Sequence, residues 1–367
     1  MASCAFEARR LMVAGVSEVR SVQHVAGRDS AAVAITSLRP ALRSTANLLP
    51  ITFVIAYPWL LRAFHAAISD DRRLLSVLFL ALVFAVPAVC GLFAWRLAQL
   101  RDPTVRDIQF RRLNYLGVTA PTMFVFLGVL QSLVGSPLPD VLTWTVGWTI
   151  LSLWAAKSSS LRLHDRATPA VGSWRVAHGI IAAVVLAYVL FHIGNHLFGL
   201  VGPNAHHDIM EAGRYVYRAR LIEPVLVGLF VAQVVIGLRL AWRWTAVKGD
   251  FHRVFQVASG LYLSVFILGH MNSVFIYART VKRIPTGWDF ATGAPGGLLH
   301  DAWNIRLLPH YALGVFFVLA HLASGLRIVL LAHGVHRSAV DALWSVGVIA
   351  SVVVSAAIIA GMCGVRI

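Results

Sequence analysis

Long apolar runs alternate with short polar segments along most of the chain. From about residue 48 onward, nine runs are long enough to cross a bilayer as helices: 48–68, 74–98, 113–134, 140–157, 174–200, 222–244, 254–278, 307–332 and 340–362. A spanning helix needs about 20 apolar residues, so 140–157 is the shortest and reads as partly interfacial. The pattern predicts an all-α, polytopic transmembrane bundle of about nine helices. Residues 1–46 carry arginines between short apolar stretches and read as a basic cytoplasmic arm; 47–157 form an additional transmembrane region, and 174–362 a five-helix bundle.

Composition agrees: 58% of residues are hydrophobic and 13% charged, which excludes a soluble globule and makes the lipid bilayer the chain's solvent. A formal charge of +16 could suggest nucleic acid, but the arginines sit between apolar runs rather than along one basic face, so nucleic acid is not an expected partner. Their placement orients the helices instead. Arg96, Arg101, Arg106, Arg111 and Arg112 follow the second run, Lys157, Arg162, Arg166 and Arg175 the fourth, and Arg243, Lys248 and Arg253 the sixth. By the positive-inside rule these loops are cytoplasmic, together with the N-terminus. The expected location is a bacterial inner membrane. The loops 201–221 and 279–306 fall outside despite several basic residues, which weakens the assignment without reversing it.

Two histidines then stand out. His192 and His270 each lie 17 residues after an arginine, Arg175 and Arg253, inside strongly apolar runs. At about 1.5 Å per residue they sit about 25 Å from the arginine-rich side, at one depth. The next helices repeat as well: Gln233, Gly237, Leu238 and Arg239 match His321, Gly325, Leu326 and Arg327 in spacing. Gln233 and His321 therefore share a second level, about 9 Å from the arginine-rich side. A duplicated helix pair is the economical reading.

Imidazole in hydrocarbon is costly and marks function. A lone transmembrane histidine is often bonded to a neighbouring carbonyl, but two at one depth in repeated helices point to axial ligands of a haem iron. Cys4, Cys90 and Cys363 are isolated, with no C-x-x-C or C-x-x-C-H, so the haem would be noncovalent, of b type. Gly194 and Asn195 flank His192, while Ser259, Gly260 and Gly269 lie on the helix of His270. Arg279, Lys282 and Arg283 stand just beyond as cations for its propionates. One haem b is expected, with a second left open. His321 lacks a histidine in its repeat partner, so it pairs with His178 or His310, bonds Gln233, or flanks a quinone headgroup with it.

Other polar groups carry less. His206, His207, Asp208 and Glu211 form a compact run that could hold a metal but reads better as a solvated loop. Glu223 beside Pro224 is a proton relay or a helix cap, His333 and His336 read as surface groups, and Trp174, Trp242, Trp244, Trp303 and Trp344 as interfacial anchors.

Residues 174–362 resemble the diheme cytochrome b membrane anchor of succinate dehydrogenase and fumarate reductase, in its five-helix form. The resemblance rests on Phe191-His192-Ile193 with Asn195, on Ser259-Gly260 followed by His270, on His321 with Gly325-Leu326, and on a last helix, Ala339 to Met362, without histidine. It implies electron transfer between a membrane quinone pool and peripheral flavoprotein and iron–sulfur subunits on the cytoplasmic side. It also implies that His192 and His270 hold the haem far from the cytoplasm, and that His321 is half of the nearer pair. The other half falls on Gln233, and the arginine usual before the Ser/Thr-Gly falls on Val257. The chain would be an electron-transfer anchor subunit rather than a catalyst by itself. The alternative is a haem-free transporter or sensor that keeps the bundle.

Overall fold

The computed structural model describes residues 47–163 and 170–367, and among these no strand occurs. The basic arm 1–46, with Cys4, and Arg166 lie outside the described residues. Residues Pro50–Ile367 form one compact unit. Seven helices are long and apolar enough to cross a membrane, and a bent pair makes an eighth span if its halves count as one. The chain is an integral membrane protein, with large apolar side chains such as Val77, Ile180, Val235 and Ile349 exposed on its helices, where lipid replaces water.

Helices α1 (Leu49–Ser69) and α2 (Arg73–Ala98) are the first two spans. The next apolar run behaves differently from its sequence pattern. A capping box, in which the Thr104 hydroxyl accepts from the Asp107 N–H and the Asp107 carboxylate from the Thr104 N–H, starts α3 (Val105–Val118) eight residues before the apolar run. After Thr119 the axis turns by 71° into α4 (Ala120–Leu133). Pro121 causes the break, because it cannot donate to the Gly117 carbonyl and its ring would clash there. The 140–157 run is the helix α5 (Asp140–Lys157), but its charged ends, serine and threonines leave it outside the set apolar enough to span.

The second half comprises α6 (Gly172–Leu197), α7 (Pro203–Tyr217), α8 (Ile222–Trp244), α9 (Phe251–Met271), α10 (Leu307–Ala332) and α11 (Arg337–Met362). Helix α7 is a departure: the segment read as a solvated loop is helical, with Pro203 in its first turn. Past Met271, α9 continues as a π-helical stretch, Asn272–Lys282, in which the Thr280 hydroxyl donates five residues back to the Phe275 carbonyl.

The first half braces α9. At the arginine-rich end, buried Arg111 donates to the Val247 carbonyl at 3.0 Å, Arg112 stacks over Trp242, and Gln99 donates to the Gly249 carbonyl at 2.6 Å. These contacts fix the loop that enters α9. Further along, Gly269 lies against Phe126 of α4, so a methyl there would touch the phenylalanine Cβ at 3.4 Å and its ring at 3.5 Å. That glycine therefore faces the brace and makes no room on the histidine side. Arg306, just before α10, is held by Asp140 at 2.6 Å and lies over the Phe124 ring. Gly128 leaves space for its guanidinium.

Both members of the Asp140–Arg306 pair are largely withdrawn from solvent, so losing one strands the other. Asp140→Ala should destabilise the fold by about 2 kcal/mol, less than for a fully buried pair. The measurement is the thermal unfolding midpoint in detergent, and an unchanged midpoint would remove this pair from the brace.

Candidate functional site

A cavity of about 260 Å³ opens between α6, α7, α8, α9, α10 and α11. Most of its wall is apolar, from residues such as Leu226, Val227, Leu263, Phe266 and Val318. His192 on α6 and His270 on α9 face each other across it with ring centroids 6.0 Å apart. Neither imidazole has a hydrogen bond to another side chain or carbonyl among the described residues. Tyr188 stacks on His192 at 5.6 Å, and Phe266 lies parallel to His270 at 5.8 Å, so an aromatic ring fixes each imidazole.

The cavity holds two histidines that the sequence pattern did not place there. His196, one turn beyond His192, has its ring 4.8 Å from it. His206, from α7, lies 5.2 Å from His196 and 4.7 Å from Trp288. The Asn195 amide donates to His206 Nε2 at 3.2 Å, which is what the buried asparagine beside His192 does. Trp288 reaches this position because Gly199 has no side chain to block its ring. Among the described residues, no three histidines, cysteines or carboxylates converge as a metal-ion site.

Helix α7 covers the cavity with one face. His206, Met210, Arg214, Tyr217 and Arg218 line it, at helical spacing, while His207, Asp208, Glu211 and Tyr215 are exposed. The 3.6-residue period was present in the sequence but hidden by the high polarity of the segment. Of the cations expected near the ligand, Arg279 does line the cavity and is paired with Glu223 at 2.6 Å. Glu223 is thereby an ion-pair partner. Lys282 and Arg283 are exposed and do not line the cavity.

The second level is arranged differently from the repeat. His321 on α10 lies beside His178 of α6, ring centroids 6.4 Å apart, and its Nδ1 is 2.9 Å from the Ser259 hydroxyl. Gln233 does not meet His321 but donates its amide to His178 Nε2 at 3.2 Å. Gly260 and Gly237 make room here: a methyl at either would press on His321 or His178 at 3.1 or 3.3 Å. Helix α6 thus contributes a histidine to both levels, 14 residues or about 21 Å apart along its axis. His310, the other expected partner of His321, packs on Phe266 instead.

At the arginine-rich end, tryptophans act as cation platforms: Arg239 lies over Trp174 and Arg253 over Trp244. Trp344 instead donates to the Ser324 hydroxyl at 2.9 Å.

His206 lies between the spans, and burial, then Arg214 and His207, push its pKa down to about 4. The unfolded chain takes up this proton near pH 6.5, whereas the folded chain resists until about pH 4. Stability from this group is therefore constant above pH 6.5 and falls as pH drops from 6.5 to 4. Thermal unfolding at stepped pH should show that fall in the wild type and a shallower one in His206→Gln. Parallel pH profiles for the two proteins would contradict the buried neutral imidazole. Set beside known proteins, the chain matches no family model, no curated protein and no solved structure.

Proposed function

We propose that the chain is a membrane cytochrome b subunit that carries electrons between a quinone pool and a peripheral redox partner. The observation that supports this most is the His192–His270 pair facing across an apolar cavity at 6.0 Å. Two metal–imidazole bonds of about 2 Å, added to the radii of two imidazole rings, come to about 6 Å. A bare ion would need three or four protein ligands. Two imidazoles with no third donor suit an ion that brings its remaining ligands with it, as a tetrapyrrole does. Bound there, a haem b supplies one-electron chemistry.

The chain's own residues do the rest. Tyr188 and Phe266 hold the imidazole planes, the apolar wall keeps water from the iron site, and α7 closes it. His321 belongs in this reading to the cluster with His178, Gln233 and Ser259, whose hydrogen bonds already engage both rings. One haem is assigned, and it lies at the His192 level. The duplicated helix pair of the sequence is kept as an origin for α6 with α8 and α9 with α10. The arginine-rich end is assigned to the cytoplasm, where flavoprotein and iron–sulfur subunits of the succinate dehydrogenase type would dock.

The test is the dithionite-reduced minus oxidised spectrum of the purified chain, with pyridine extraction of haem. The wild type should give a b-type band, His192→Ala and His270→Ala should each abolish it, and His321→Ala should retain it. A wild type without extractable haem overturns the proposal in favour of a haem-free transporter or sensor. Loss of the band in His321→Ala alone would move the haem to the other level.

A further inference from the structure

The charged residues at the cavity mouth are out of balance. Three guanidinium groups line it, from Arg214, Arg218 and Arg279. Arg279 is matched by Glu223, and Arg214 by Glu211 on the outer face of α7, both at 2.6 Å. Arg218 has no ion pair of its own among the described residues. It is nevertheless held against Arg214, because both donate to one acceptor, the Thr286 hydroxyl, at 3.0 and 3.2 Å. Arg214 also donates to the Thr286 carbonyl, while its Nε is buried without a partner. Burial and then Arg214 pull the Arg218 pKa below the usual arginine range. Two like charges fixed side by side by a neutral threonine repel each other, and withdrawal from water strengthens the repulsion. Such an arrangement is satisfied by an anion.

The mouth therefore asks for negative charge at one end of a molecule whose body fits an apolar cavity. We propose that Arg214 of α7 and Arg218 just past its end, with Thr286 as their brace, form a carboxylate-recognition site that holds the acidic groups of the cavity ligand and directs them away from the His178–His321 end. This rests on the reading of the cavity as a haem pocket. It replaces Lys282 and Arg283 by two arginines from a segment whose sequence reads as loop. Guanidinium is suited to the task because its planar donors match a carboxylate. The same anionic chemistry could come from a phospholipid headgroup, so the test separates the two sources.

Apoprotein in neutral detergent is titrated with haemin and with haemin dimethyl ester, whose carboxylates are blocked. The wild type should bind the free acid about tenfold to a hundredfold more tightly than the ester. Arg218→Gln should weaken the acid by a similar factor and leave the ester unchanged, Arg218→Lys should fall between, and Lys282→Gln should match the wild type. Equal binding of acid and ester by the wild type, with a bis-imidazole spectrum, overturns carboxylate recognition while the haem reading stands. That comparison needs no variant to fold. Binding of neither compound overturns both readings. If Arg218→Gln instead weakens only the binding of phosphatidylglycerol added to the micelles, the anion is a headgroup and the carboxylate assignment falls.

Discussion

Inside a bilayer, every polar group must find a partner within the protein, and that requirement organises this molecule. Backbone groups meet it by helix formation. Side chains meet it one at a time: Trp144 donates to the Val54 carbonyl, Tyr262 to the His310 carbonyl, and Ser355 to the Ala312 carbonyl. His192 and His270 are the conspicuous departure. Each is positioned by an aromatic neighbour and neither bonds to the protein, although both face a shared cavity.

The first half of the chain serves that cavity from behind. Arg111, Arg112 and Gln99 grip the turn into α9, Phe126 packs on Gly269 one residue before His270, and the Asp140–Arg306 pair ties α5 to the start of α10. These helices, none of which lines the cavity, thus form a wall behind the helices that carry its histidines. Withdrawn ion pairs are a modest source of stability compared with packing, but they fix geometry, because the charges tolerate only one arrangement.

Much of this was legible in the sequence, and the failures have identifiable causes. The apolar runs located the helices, and equal spacing from Arg175 and Arg253 brought His192 and His270 to one depth, where their rings do meet. Depth alone could not place the second level. Spacing counts rise along an axis, whereas partner choice depends on rotation about it and on helix tilt, so His321 meets His178 while Gln233 turns to the same His178 from another side. The bend at Thr119 was signalled by Pro121, but the apolar run around it is continuous enough to read as one span. Helix α7 was missed because its polar composition masks a lining face at positions 206, 210, 214 and 217. Gly269 faces a neighbour that pattern alone could not reveal.

The π-helical continuation of α9 bears on the position of His270. A π turn takes in one residue more than an α turn, and such turns absorb an inserted residue without unwinding their surroundings. Here the stretch lies between His270 and the connection, with its short helices Trp288–Thr292 and Gly297–His300, that leads to α10. Residues added or lost in that segment can be taken up by a shift of the wide turn, leaving the rotation of the preceding helix as it was. The orientation of His270 is thereby insulated from a change of length in the connection.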